Sequence, residues 1–259
     1  MALQNKKSLG QHWLRDRTVL AKIADSANLE SNDTVVEIGP GLGTLTSELL
    51  KRASKVIAIE LDSDLARKLP GQFPGKNLEV IQTDFLDYDL SKLPSGYKVV
   101  GNVPYYITGK IIQKLLSTAN KPSQIVLLVQ KEVAERIIAK HGDMSLLSVS
   151  VQINAEATLG DIVQAHFFTP IPKVDSQVVI LKVLKKSLIS DIDEAKFFQV
   201  VKAGFSSKRK KLRSSLAGGL GISKSESENL LKTSGIDPNS RAEKLTITDW
   251  LNLTNTISK

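Results

Sequence analysis

The sequence predicts an α/β fold: a doubly wound, mostly parallel sheet with an antiparallel edge, followed by a small all-α domain. Three observations carry this. Five short, β-branched apolar runs alternate with helical patterns in the first half of the chain. Two later strand-like runs follow with no clear helix between them. Beyond residue 186 only helical spacing remains. Continuous apolar strands that alternate with helices imply a parallel sheet covered on both faces.

The five runs are residues 34–39 ("TVVEIG"), 55–61 ("KVIAIEL"), 78–83 ("LEVIQT"), 97–103 ("YKVVGNV") and 124–129 ("QIVLLV"). Helices are expected between them at 44–53, 62–70, 108–118 and 131–140, with another at 18–29 before the first strand. The runs "LLSVSVQINAEAT" and "SQVVILKVL" are expected to pair antiparallel at one edge. In the last third, "DEAKFFQVVKAGFSSKRKKLRSSL" carries apolar residues at helical spacing and then a basic run. "SKSESENLLKTSG" opens on a Ser cap and closes on Gly, and "TITDWLNLTNTI" reads as a further helix. The expected domains are therefore 1–186 and 187–259.

Bulk properties narrow the function. The 259 residues include no cysteine, which excludes disulfides, thiolate nucleophiles and Cys-based zinc sites. Three scattered histidines do not suggest a metal cluster, and no run approaches membrane-spanning length. A cytoplasmic monomer with no membrane partner is the simple expectation. The net charge of +8 favours a polyanionic partner. From Lys185 onward, 14 Lys and Arg stand against 8 Asp and Glu, so the excess is concentrated there.

The chemistry clusters at strand ends. "EIGPGLGTLTSELL" places Gly39, Gly41 and Gly43 between the first strand and a helix, where backbone can approach a ligand closely. Glu60 ends the second strand, beside that loop, where its carboxylate can accept from ribose hydroxyls. So far a nicotinamide enzyme fits equally well, although the spacing is G-x-G-x-G rather than G-x-G-x-x-G. Asp84 ends the third strand and can accept from an adenine amine; Asp87 and Asp89 read as loop and cap residues. Together the set describes a nucleoside with a polar tail, such as S-adenosylmethionine, in a Rossmann-like methyltransferase sheet.

"GNVPYYITG" closes the fourth strand. An exocyclic base amine is a poor nucleophile because its lone pair is delocalised into the ring. Two acceptors can bind its N–H groups and favour a tetrahedral nitrogen. The Asn102 side chain offers one. A backbone carbonyl held by the Pro104 turn, that of Val103 or Pro104, offers the other. Tyr105 can stack on the base. This chemistry needs neither a covalent intermediate nor a metal. Tyr106 has no evident task and is expected to pack in the core.

These motifs together resemble the KsgA (RsmA) family of ribosomal RNA adenine dimethyltransferases. "VVEIGPGLGTLT", "VIAIELD", "QTDFLDYD" and "GNVPYYIT" carry the resemblance. "KKSLGQHWLRD", "FFTPIPKVDSQVV", "FSSKRKKLRSSL" and "IDPNSRAEKLT" extend it over essentially the whole chain. The resemblance implies that His12 and Leu14 cover the cofactor and that Gly39, Glu60, Asp84 and Asn102 contact it. It further implies that Phe168 gives a second stacking surface. Trp13 replaces the family's usual Phe, Val103 its Leu or Ile, and His12 takes a position often held by Asn.

The implied substrate is a pair of adjacent adenosines in the 3′-terminal hairpin of 16S rRNA, within an immature small ribosomal subunit. Lys202, Lys208, Arg209, Lys210, Lys211 and Arg213 form a basic surface suited to RNA phosphate, the last five within one and a half expected helical turns. Two related alternatives share the fold: a large-subunit adenine dimethyltransferase of the macrolide-resistance type, and a non-catalytic RNA-binding assembly factor.

Overall fold

The computed structural model describes residues 10–258; residues 6–9 of the N-terminal segment singled out above lie outside it. The chain opens with β1 (Trp13–Leu14) and α1 (Arg17–Asp25), the latter capped by Asp16, whose side chain accepts from the Val19 N–H. It then alternates through β2 (Thr34–Ile38), α2 (Thr44–Leu49), β3 (Lys55–Glu60), α3 (Ser63–Lys68), β4 (Leu78–Gln82), β5 (Lys98–Asn102), α4 (Thr108–Ser117), β6 (Gln124–Gln130) and α5 (Lys131–Ile137). Each of the five expected strands is present.

After α5 come α6 (Leu146–Gln152), β7 (Ala155–Val163), β8 (Phe168–Thr169) and β9 (Ser176–Val183). The main sheet has the order β4-β3-β2-β5-β6-β9-β7. Strands β2 to β6 pair in parallel, and β9 runs antiparallel to β6. The expected antiparallel edge is therefore there. Its composition differs, because "LLSVSVQ" folds as α6 and only the residues after it form β7. Leu147, Val149, Val151 and Ile153 alternate as a strand would, while Leu146, Val149 and Ile153 also fit a helical face. The caps decide between the two. Ser145 and Ser148 exchange side-chain and backbone bonds in a capping box, and Val149 and Ile153 pack among buried helical residues.

Contacts group residues 10–135 with Glu156–Val183 in one compact unit, and Arg136–Ala155 with residues 184–258 in a second. A single cut at residue 186 does not capture this, since α6 is recruited from the middle of the chain. The second unit also holds α7 (Glu194–Phe205), α8 (Leu212–Leu220), α9 (Lys224–Thr233) and α10 (Ile247–Ile257). Their core is built on Phe197, Val200, Leu212, Leu216, Trp250 and Leu253. The Ser cap read from sequence is in place, with Ser223 accepting from the Glu226 N–H; α10 adds a capping box between Thr246 and Asp249.

The basic run is not helical. It falls in residues 206–211, a turn between α7 and α8 closed by the Lys210 N–H donating to the Ser207 carbonyl at 2.8 Å. Like charges three and four residues apart repel along a helix, so a turn separates them at lower cost.

The second unit makes a sharp packing prediction. A Cβ on Gly219 would stand 2.5 Å from the Ala203 Cα of α7, whereas one on Gly218 meets nothing within 4 Å. Gly219→Ala should therefore destabilise the protein by about 1–3 kcal/mol. Gly218→Ala should be neutral or stabilising by up to about 1 kcal/mol, from helix propensity. Denaturant melts of the two variants check the contrast.

Candidate active site

The parallel register brings the carboxyl ends of β2, β3, β4 and β5 to one edge, and a cleft of about 310 Å³ lies there. Its floor is the loop after β2. Gly39 and Gly41 hold φ of +66° and +57°, left-handed backbone that suits glycine. Glu60, at the end of β3, fixes this loop. Its Oε2 accepts from the Gly41 N–H at 3.0 Å, and its Oε1 from the Asp62 N–H at 2.8 Å. Burial raises the Glu60 carboxyl above its ordinary value, against the lowering effect of these N–H bonds; the Asp62 charge adds to the rise. Asp84, half-buried just beyond β4, accepts from the Leu86 N–H through Oδ1 at 2.8 Å. Its Oδ2 accepts no hydrogen bond among the described residues.

The wall opposite the loop is the segment from Gly10 to Leu14. It is tied down at three points. Asn102 Nδ2 donates to the His12 carbonyl at 3.0 Å. His12 Nδ1 lies 2.7 Å from the Pro170 carbonyl oxygen, and Thr44 Oγ1 donates to the Leu14 carbonyl at 2.9 Å. Because a carbonyl can only accept, the first bond also fixes which end of the Asn102 amide is which. Oδ1 is thus the free end.

Beyond Asn102, Pro104 leads into a 3₁₀ turn over Tyr105–Ile107. The Pro104 carbonyl accepts from the Ile107 N–H at 3.2 Å. The Tyr105 hydroxyl is 2.7 Å from Ser176 Oγ, at the start of β9. The Tyr105 ring stacks on His12 with centroids 5.7 Å apart and planes 16° apart.

All the residues expected at the cofactor line this one cleft: His12, Leu14, Gly39, Gly41, Glu60, Asp84 and Asn102, with Pro104 and Tyr105 at its end. Two expectations need correction. Phe168 is 1% exposed, packs in the core with Leu14 and is not part of the cleft, so no base reaches its ring here. Its position in β8, paired with β1 across Leu14↔Phe168, makes it an anchor for the N-terminal segment. Tyr106 is 65% exposed rather than a core residue.

A sheet of this order, with a glycine loop after its first central strand, an acid ending the next, and Asn-Val-Pro-Tyr ending the fourth, defines a Rossmann-like methyltransferase. Within that class, the family model for ribosomal RNA adenine dimethylase matches residues 2–259. The chain is 44% identical, over 97% of its length and 88% of the relative's, to ribosomal RNA small subunit methyltransferase A of Dehalococcoides mccartyi (strain CBDB1). It is 38% identical to the protein of the same name in Fusobacterium nucleatum, over 98% of this chain and 97% of that one. A dimethyladenosine transferase from Plasmodium falciparum superposes with a TM-score of 0.80 at 29% identity, covering 93% of this chain and 96% of that one. The 23S rRNA methyltransferase ErmE does so with a TM-score of 0.75, also at 29% identity, covering 95% of this chain and all of its own. This chain belongs to the ribosomal RNA adenine dimethylase family and is a methyltransferase.

Sequence reasoning missed two members of the site. Ser176 orients Tyr105, and the only signal was its place at the end of the "FTPIPKVDS" loop. Glu37, inside the run "TVVEIG", reads by sequence as part of an apolar strand. It is 1% exposed, lines the cleft and leaves Oε2 without a hydrogen-bond partner among the described residues. Burial pushes its carboxyl up to about 8; Thr46 lowers it and the Glu60 charge raises it further.

The folded protein therefore holds the Glu37 proton more tightly than the unfolded chain does. This carboxyl adds no penalty below its unfolded value of 4.5, and stability falls as pH rises from there to about 8, then levels. Glu37→Gln should flatten the fall in melting temperature across that window. A wild-type-like slope in the variant would assign the pH dependence to other groups.

Proposed function

We propose that this protein transfers methyl groups from S-adenosylmethionine to the N6 atoms of two adjacent adenosines in the 3′-terminal hairpin of 16S rRNA. It would do so in an immature small ribosomal subunit, as a cytoplasmic monomer. The observation that carries the reading is the orientation of Asn102. Its Nδ2 is committed to the His12 carbonyl, so its Oδ1 is free to accept from a base amine. The small-subunit target is supported by relatives of that name at 38% and 44% identity, against 29% for ErmE.

The residues present fit the methyl donor. Each Glu60 oxygen takes one N–H and keeps acceptor capacity for ribose hydroxyls, while Asp84 Oδ2 suits the adenine amine. Burial disfavours the charged form of Glu37 and Glu60, and a cationic ligand bound beside them would offset that cost where an anionic one would add to it. When bound, S-adenosylmethionine supplies an electrophilic methyl group on a sulfonium sulfur.

The chain's own part is to position the amine. Asn102 Oδ1 is one acceptor. The Pro104 carbonyl is already engaged by Ile107, so the Val103 carbonyl is the better second. With both N–H groups held in the first transfer, and the remaining one in the second, the nitrogen lone pair is drawn out of conjugation and turned toward the methyl donor. Each transfer would form an N–C bond as the sulfonium C–S bond breaks, and the nitrogen would lose one proton to solvent. Tyr105 offers one ring face to the base, because His12 occupies the other and Ser176 fixes its tilt.

For RNA, Lys202, Lys208, Arg209 and Lys210 are exposed in the second unit. Lys211 donates to Asn239 Oδ1 at 2.9 Å, and Arg213 pairs with Glu228 at 3.1 Å, so Arg213 contributes least to phosphate binding. The turn geometry supports backbone contact rather than base reading.

Labelled S-adenosylmethionine, incubated with undermethylated small and large ribosomal subunits and followed by mapping of the modified base, tests the reading. Two dimethylated adenosines in the small subunit are expected; modification confined to the large subunit would overturn the target. In the same assay, Asn102→Ala should lower kcat/KM by about 10²–10³. Alanine at Lys208, Arg209, Lys210 and Lys211 together should weaken RNA binding and reduce the slope of log K against log salt by about 3. An unchanged slope would move the phosphate contacts elsewhere.

A further inference from the structure

Tyr106 is a large aromatic side chain, 65% exposed, on the rim of the cleft that holds Asn102 and Tyr105. An exposed tyrosine is usually a solvated one, but this ring borders the backbone of Gly10. Gly10 passes beneath it at φ +62°, and a Cβ there would stand 3.2 Å from Tyr106 Cε1. Pro104 Cβ lies 3.7 Å from that same point. One ring edge thus borders the Gly10 backbone while the rest faces solvent.

Four residues on, in the first turn of α4, Lys110 also lines the cleft and is exposed. Among the described residues, neither side chain makes a hydrogen bond or ion pair. An aromatic surface and an unpaired cation thus stand four residues apart in the chain at the mouth of the site.

We propose that Tyr106 and Lys110 form a subsite for the nucleotide next to the adenosine being methylated: its base stacks on Tyr106, and the intervening phosphate pairs with Lys110. The inference rests on the adenosine-methylating reading above and extends it. A nucleotide whose base sits on Tyr105 brings its neighbour to the rim, where Tyr106 is the next ring in the chain. Stacking on an aromatic side chain tolerates any base, since every base has a π-face. The same subsite can therefore hold one of two adjacent adenosines, methylated or not, while the other is in the cleft.

The test uses the full chain and small subunits reconstituted with 16S rRNA that carries either an intact or an abasic nucleotide beside the target. On intact RNA, Tyr106→Ala should raise KM by about tenfold, with kcat little changed. Tyr106→Phe should retain most of the wild-type affinity. On abasic RNA the wild type and Tyr106→Ala should have the same KM. Lys110→Gln should weaken binding and lower the salt slope by about one. Equal loss on intact and abasic RNA, or no loss on either, would overturn the subsite alone. No methyl transfer by the wild type to intact subunits would overturn both the subsite and the reading beneath it.

Discussion

A parallel sheet puts the carboxyl ends of its strands on one edge, and the cleft of this protein follows from that constraint. The pairing of Ile38 with Ile59, of Glu60 with Gln82 and of Asn102 with Leu128 aligns the strand ends. Glu37, Glu60, Asp84 and Asn102 are far apart in sequence and reach one site because of it. The register alone would leave loose loops. Two bonds convert the edge into a shaped cavity: Gly41 N–H to Glu60 below, and Asn102 Nδ2 to the His12 carbonyl above.

The aromatic residues around that cavity divide their tasks by burial. Phe168 lies in the core and, through β8 and β1, pins the segment that carries His12 and Leu14. Tyr105 is half-buried, fixed by Ser176 and His12, and keeps one face open. Tyr106, its immediate neighbour, faces outward because the 3₁₀ turn rotates successive side chains by about a third of a revolution. Adjacent residues in one motif thus meet different surroundings. A change at Phe168 would act through the placement of His12, whereas a change at Tyr105 would act on the open ring itself.

The charge distribution follows a similar physical logic. Buried acids cluster in the cleft, where the proposed ligand is cationic, while consecutive cations occupy a turn in the second unit. Burial raises the carboxyls of Glu37 and Glu60, and among the described residues no cation is paired with them. The cations of residues 208–211 are exposed to solvent. The turn also relieves the repulsion that a continuous helix would impose on them.

Sequence by itself determined the alternation of five strands with helices, the glycine loop, the acids at the strand ends and the Asn-Val-Pro-Tyr motif. These are legible because they are local: apolar period, cap chemistry and turn residues act within a few positions of one another. It also carried the family, since the motifs run the length of the chain. Tertiary structure decided what depends on distant partners. The run "LLSVSVQ" fits both periods, and only its packing in the second unit makes it a helix. Phe168 and Tyr106 are both aromatic residues near a motif, and nothing in their neighbours states which is covered. Glu37 reads as an interruption of an apolar strand until the strand end is seen to border a cleft. The amide orientation of Asn102 depends on a carbonyl 90 residues away, and no local rule reaches that far.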